Sequence, residues 1–443
     1  MDMSVIEHLL SRLKANPDWK FQINITDWQT DFLRFYDSQI NYNISKENSM
    51  LEVSVYKGKK SYSFSCDQPS VSIIDEAIDK TTSVIDRLPE DPDFIDVETD
   101  KTEKKPKIKP DNLANLPLDV KISILQKIGQ AADEKGFDIF GTFICNKQQS
   151  RIINSNGLDK SQINLPIYFE VKAVRRTNQV TVLQTYGGED FASFDLQEFI
   201  SKLTQKMDFA LFDVIDIKPG PYEVILAPRC IAELMLYLSG SMSARSYDQK
   251  TSCFENKLNH KVFPDYITIT DDPDDLDIIS FDYNSDGHVY RPLKLVEKGV
   301  FRNFMCNNYY AHKTGLPKNG NNGSCLVLHY GDMPLPEMVK SVQNGIYVSS
   351  LHYMNFINQK ETSVTGLTRD GTFLIEDGKI TKVINNLRFT DKITRVFENI
   401  KALEDKSFTI PFSDNYGFFE ISCAKAPHVW VSNFNITSST RTI

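Results

Sequence analysis

Apolar positions along the chain follow two periods, and the switches between them mark its elements. Val5, Ile6, Leu9, Leu10 and Leu13 recur at helical spacing, so the chain is expected to open with an amphipathic helix. The stretch "LEVSVYKGKKSYSFSC" alternates apolar and polar residues around Lys57-Gly58-Lys59, the pattern of a hairpin. A helical period returns over 73–87, "IIDEAIDKTTSVIDR". Residues 88–111 lose all periodicity, hold four prolines and are rich in charge, which predicts a solvated linker and a domain boundary. Beyond it, "LDVKISILQKIGQAADEKG" reads as a helix stopped at Gly136. Three strand-like runs follow, "IFGTFICNKQQSRIINSNG", "LPIYFEVKAVR" and "VTVLQTYGGED", with a turn at Asn154–Gly157. The helix "DLQEFISKLTQKMDFALFDV" closes this unit.

From 219 onward the period is mostly two. After the short strand "GPYEVILAP" comes "RCIAELMLYLSGSMSAR", an apolar helix carrying one internal charge, Glu233, that turns abruptly small and polar. Many short β runs follow, with a strong hairpin turn at Asp377-Gly378 and sparse helices near 299–313 and 390–404. The expected fold class is α+β: mixed N-terminal domains at 1–87 and 112–218 joined by the 88–111 linker, then a mostly antiparallel β domain over 219–443.

Composition narrows the function. The net charge of −9 and pI near 5.4 speak against direct nucleic-acid binding, which relies on clustered Lys and Arg. No run approaches the roughly 18 apolar residues of a membrane span, and "MDMSVIEHLLSRLK" does not read as a secretory signal. The seven cysteines fit neither a CxxC knuckle nor a disulfide framework, so reduced thiols in a cytoplasmic protein are expected.

Local motifs for metal chemistry are absent from the sequence. The closest two of the seven histidines are 17 positions apart, so no pair shares one helical turn. Asp282-x-Asn284-x-Asp286-Gly287 begins like a calcium loop, but Leu293 stands where the bidentate Glu belongs. "GLPKNGNNGS" at 315–324 lacks the Gly-Lys-Ser/Thr ending of a phosphate loop.

The more distinctive signal is the run "SVTGLTRDGTFLIEDGKITKVINNLRFTDKITRVFENIKAL" at 363–403, together with "DGHVYRPLKLVEKGVFRNFMCNNYYAHKTGLPKNGN" and "YEVILAP" before a small-residue helix. These segments, in this order, resemble the TldD/PmbA (TldE) family. The resemblance implies two subunit types. In the TldD type the helix carries HExxxH and a C-terminal Cys completes a zinc site; the PmbA/TldE type lacks these ligands. Here Leu236 and Ser241 replace the two His in one register, and Ala232 and Tyr237 in another, where Glu233 mimics the motif's Glu. Cys423 lies about where the zinc cysteine of the TldD type falls. Glu233, Leu236, Tyr237, Ser241 and Cys423 are therefore the candidate cleft positions, with no catalytic or metal-ligating residue assigned.

By resemblance the chain is expected to be a PmbA/TldE-like, non-catalytic partner of a TldD-type zinc metallopeptidase. Zinc would belong to that partner, and the pair would enclose an extended peptide, held by addition to an exposed strand edge. A homodimer remains open for the isolated chain. Two alternatives stand beside this reading. One is a hydrolase built on Cys423 or on distant His288, His312 and His329. The other is a regulatory protein acting on DNA gyrase, after the family's older label of modulator of DNA gyrase.

Overall fold

The structure is a computed structural model that describes residues 2–104, 116–189, 191–414 and 419–439. Helices α1 (Met3–Lys14), α2 (Val71–Val84), α3 (Leu118–Asp133) and α4 (Leu196–Ala210) fall where the helical period put them. Local chemistry fixes three of their starts: Asp2, Ser70 and Asp195 each accept a backbone N–H of the first turn.

Seven strands form the first sheet: β1 (Trp19–Tyr36), β2 (Gln39–Lys57), β3 (Lys60–Asp67), β4 (Phe137–Asn154), β5 (Asp159–Asn164), β6 (Ile167–Arg175) and β7 (Thr181–Gly188). Their order is β3-β2-β1-β4-β6-β7, with β5 paired to β4. The hairpin at Lys57–Lys60 is as expected. The long β1–β2 hairpin is an addition, turned by Asp37 and Ser38 with φ of 52° and 59°. Odd-numbered residues of β1, from Phe21 to Phe35, face all four helices, while Phe32 faces away from them.

The expected division at 88–111 needs correction. β1 pairs with β4 from Gln22↔Asn154 to Phe35↔Gly141, so segments 1–87 and 112–218 share one sheet and one helical layer. Nor is 88–104 a solvated strap along its length. Val97 and Glu98 are buried, and Glu98 accepts from Lys318 Nζ (2.5 Å) and Asn308 Nδ2 (3.0 Å). A buried carboxylate persists only with such partners, which is why this charge-rich stretch packs instead of floating. Residues 105–111 of the expected linker lie outside the described residues.

The remaining strands are β8 (Val214–Ile215), β9 (Gly220–Leu226), β10 (Ile269–Asp271), β11 (Leu293–Glu297), β12 (Val300–Phe301), β13 (Leu326–Leu328) and β14 (Asn344–Asn358). After these come β15 (Ser363–Glu376), β16 (Lys379–Ile384), β17 (Leu387–Lys392), β18 (Ile400–Leu403), β19 (Phe408–Ser413), β20 (Ile421–Ala426) and β21 (Val429–Ser439). The second sheet runs β12-β11-β10-β13-β20-β19. In the third, β14-β9-β21-β17-β15 closes on itself through β14–β15 pairing, and β16 and β8 extend it. The fold is α+β and the 219–439 part is mostly antiparallel, as expected; β13–β20, β14–β9 and β16–β8 are parallel. The Asp377-Gly378 hairpin forms. The helices expected near 299–313 and 390–404 shrink to Asn308–Thr314 and Ile393–Glu398, because β12 and β18 take residues from each.

Helix α5 (Pro228–Ser239) lies between the second sheet and the closed ring. Through the second sheet the order is α1–α4, first sheet, second sheet, α5 and ring, and the ring also meets α4 directly, where Phe373 of β15 and Val383 of β16 join the core of α3, α4 and the first sheet. Phe32, Ile144 and Tyr168 of the first sheet meet Val327, Ile421 and Cys423 of the second. Ala424 and Ala426, on the other face of β20, meet α5.

Glu98 carries a prediction. Burial opposes its ionisation, but the bonds from Lys318 and Asn308 outweigh it and hold the carboxyl down to about 2. Its contribution is therefore present above pH 4.5 and lost as pH falls toward 2. Glu98→Gln is expected to cost about 2–4 kcal/mol at pH 7 and to remove this part of the acid sensitivity, measured by urea unfolding across pH.

Candidate functional site

Helix α5 starts abruptly because Pro228 occupies its first turn, with φ already suited to a helix and no N–H to satisfy. Ala227 precedes it and supplies no side-chain cap. Cys230, Ile231, Ala232, Leu234, Met235 and Leu238 are buried between the layers. That leaves one flank, at spacing i, i+4, i+7 and i+8, for Arg229, Glu233, Leu236 and Tyr237, all only partly buried.

Three candidate positions thus share a face. Arg229 Nε stands 3.6 Å from Glu233 Oε1, and the Arg229 guanidinium also lies over the Phe412 ring and donates to the Pro411 carbonyl (3.3 Å). Burial pushes the Glu233 carboxyl up to about 7; Arg229 opposes the shift and Asp370 adds to it. Tyr237 donates its hydroxyl proton to the Met354 carbonyl and packs against Phe356, and Leu236 rests on the core. The other two candidates stand apart. Ser241 is buried past the helix end, where its carbonyl accepts from Ser252 Oγ (2.6 Å). Cys423 faces the first sheet, away from α5, and its sulfur accepts the Ile279 N–H (3.1 Å).

Beside the start of α5 is a cavity of about 830 Å³. α4 and β7 bound it on one side, β19 and the turn after β18 on another, and Arg229 with β14 at its inner end. Both β7 and β19 are terminal strands of their sheets. They abut where Gly187 meets Pro411 so closely that a Cβ on Gly187 would come within 2.2 Å of the proline ring.

Its inner wall holds groups that no sequence spacing connects. Tyr347 Oη is 3.0 Å from His428 Nε2, and His428 Nδ1 is 2.5 Å from Glu404 Oε2. Burial lowers the pKa of His428 despite the bond to Glu404, so the ring is neutral near pH 7. With Glu404 accepting at Nδ1, the proton sits there and Nε2 accepts from Tyr347. Lys206 donates to the Leu183 carbonyl (2.7 Å) and Gln184 Oε1 (2.9 Å). Burial and the neighbouring Lys202 and Arg229 bring its pKa down to about 8. Sequence reading missed Lys206, Tyr347, Glu404 and His428 because α4, β14, the residue after β18 and the residue before β21 each contribute one.

Residues 219–438 match the family described as the PmbA/TldA metallopeptidase C-terminal domain. That segment of the chain is a PmbA/TldD metallopeptidase C-terminal domain. Among curated relatives, a "Metalloprotease PmbA homolog" of Buchnera aphidicola is 23% identical over 177 residues, covering 39% of this chain and 38% of the relative. A "Zinc metalloprotease TldD homolog" of Saccharolobus solfataricus is 26% identical over 199 residues, covering 41% and 44%. The chain thus spans about two fifths of the length of the curated relatives it matches. The likeness of fold extends further. TldE from Thermococcus kodakarensis superimposes with a TM-score of 0.86 at 18% identity, covering 98% of this chain and 99% of that one. A Thermotoga maritima protein described as a candidate modulator of a DNA gyrase gives 0.85 at 16%, covering 98% and 99%.

The family name implies a metal, which side chains of α5 would have to help hold. Zinc needs three or four nitrogen, sulfur or carboxylate donors converging on one point. On this PmbA/TldD helix Glu233 is the one such donor on the cleft flank, and it is paired to Arg229. Cys423 faces the opposite side of β20. This donor set does not fit zinc. The three distant histidines do not gather either: His288 lies 3.7 Å from Glu98, His329 lies 3.2 Å from Thr270 Oγ1, and His312 is exposed on the short helix Asn308–Thr314. Among the described residues no three His, Cys, Asp or Glu side chains form a metal-holding group. No described helix is long and apolar enough to cross a membrane.

Glu233 gives a signed prediction. Its folded pKa lies above the unfolded value of 4.5, so its contribution is full below pH 4.5 and is lost as pH rises through about 7. Glu233→Gln should remove that slope. The stability difference between pH 5 and pH 8 from urea unfolding should shrink by about 1–3 kcal/mol.

Proposed function

We propose that this chain is a PmbA/TldE-type subunit without catalytic metal, working beside a TldD-type zinc metallopeptidase by holding extended peptide in the cavity at the start of α5. One observation carries the reading. The start of α5 brings Arg229 to the cavity; the flank that continues from it through Glu233, Leu236 and Tyr237 lies outside the cavity lining and carries no imidazole, and the cavity itself is bordered by two terminal strands. A terminal strand has backbone N–H and C=O groups available for an added strand, which gives affinity with little sequence preference. The volume suits a few extended residues and excludes a folded domain, which would restrict the substrate to unfolded or short chains.

The test is reconstitution with the TldD-type protein of the same organism. The isolated chain should cleave no unfolded peptide and should purify without stoichiometric zinc. The mixture should cleave severalfold faster than the partner alone. Cleavage by this chain alone, or one bound zinc per chain, would favour the hydrolase reading instead. A pull-down that recovers gyrase and no peptidase would favour the regulatory one.

A further inference from the structure

We infer that the inner end of the cleft is a carboxylate site, taking the C-terminal carboxylate of an extended peptide on Lys206, Ser349 and the first turn of α5. The inference rests on the peptide-holding reading and adds which end of the peptide enters.

Ser349 provides the first observation. It lies two residues beyond Tyr347 on β14, so both side chains leave the strand on the same face, and both line the cavity. Ser349 is 7% exposed, and its hydroxyl has no hydrogen-bond partner among the described residues. A buried hydroxyl without a partner has lost its water and gained nothing in return, so an acceptor arriving from the cavity would satisfy it. Gly371 keeps this corner open: a Cβ there would fall 2.6 Å from Ser349 Oγ, and φ at Gly371 is 115°.

Positive potential provides the second. The N-terminal turn of α5 reaches the cavity through Ala227, Pro228 and Arg229; the Ala227 N–H is given to the Val348 carbonyl, the Cys230 N–H to the Ala227 carbonyl and Pro228 has none, so the turn contributes the positive end of the helix dipole and the Arg229 N–H. Lys206 has two protons engaged by Leu183 and Gln184 and a third available to a ligand. Its pKa is depressed by burial and by Lys202 and Arg229, and a bound anion would relieve that repulsion. Nearby carboxylates limit the charge the site can take. Glu233 and Asp370 act on Arg229, Lys172 pairs with Asp370 at 3.1 Å, Glu404 is taken up by His428, and Glu189, Asp195, Glu198, Asp277 and Asp405 also line the cavity, so the positive potential is local to Lys206 and Arg229 and a monoanion fits better than a phosphate dianion.

Tyr347 supplies the reason for a peptide end in place of a free small acid. Its proton is given to His428, so its oxygen is left to accept. An acceptor beside an anion site repels a second carboxylate oxygen but welcomes an N–H. The last residue of a peptide offers both groups a few atoms apart, its carboxylate and its amide N–H.

The test uses the full chain and two fluorescein-labelled alanine hexapeptides, one with a free C-terminus and one amidated, followed by fluorescence anisotropy. The free acid should bind at least about tenfold more tightly, the size of one charge-assisted hydrogen bond. Ser349→Ala removes a buried hydroxyl with no partner in the free chain, so the variant should fold with a melting temperature no lower than that of the wild type. Ser349→Ala and Lys206→Met should each weaken the free acid and leave the amide nearly unchanged, collapsing the preference. Equal binding of acid and amide by the wild type, or a preference untouched in both variants, would overturn the carboxylate site and leave the peptide cleft standing. Failure of both peptides to bind would overturn the site and the cleft together.

Discussion

Helix α5 is buried on two sides, between the second sheet and the closed ring, and the cleft depends on that constraint. Six apolar side chains of α5, from Cys230 to Leu238, fill the space between the layers. The remaining flank cannot rotate without driving Arg229 or Glu233 into the core, at a cost of several kcal/mol for an unpaired buried charge. The packing therefore fixes which residues meet the cavity, and Pro228 fixes where the helix begins. A site with these two properties is preorganised before any ligand arrives, which reduces the ordering entropy of binding.

The same stacking explains why two strand edges meet beside the helix. The first and second sheets pack face to face through Phe32, Ile144, Tyr168, Ile421 and Cys423. Their terminal strands, β7 and β19, then reach the same border and touch at Gly187 and Pro411. A glycine allows the close approach, and a proline on β19 removes one ladder donor at the contact. The cavity lies beside this contact, lined by residues 183–188 of β7 and 408–410 of β19. Enclosure and available backbone groups thus come from one packing arrangement.

Much of this was legible in the chain. The period of 3.6 located α1 to α4, an apolar run with one charge located α5, and Lys57–Lys60 and Asp377-Gly378 announced their hairpins through turn chemistry. The β1–β2 hairpin escaped notice because Asp37 and Ser38 make its turn without a glycine. The 88–104 stretch looked solvated because its composition is charged; the burial of Glu98 depends on Lys318 and Asn308, more than 200 positions away. For the cleft, helical spacing alone puts Glu233, Leu236 and Tyr237 on one flank. It could not place Cys423, since a shift of one residue along β20 turns a side chain from α5 to the first sheet. The Tyr347–His428–Glu404 chain and Lys206 had no local signature, because each residue comes from a different element.

The central claim is that peptide lies in the cavity between β7, β19 and the start of α5. The most direct measurement is photo-crosslinking of the isolated chain with an unfolded peptide carrying a benzophenone at successive positions, with the attached sites mapped by mass spectrometry. The account predicts adducts concentrated within 183–188, 202–206 and 408–410, lost when an excess of unlabelled peptide is added. Adducts confined to the outer surface of the ring or to the β1–β2 hairpin, with those three segments unlabelled, would contradict it.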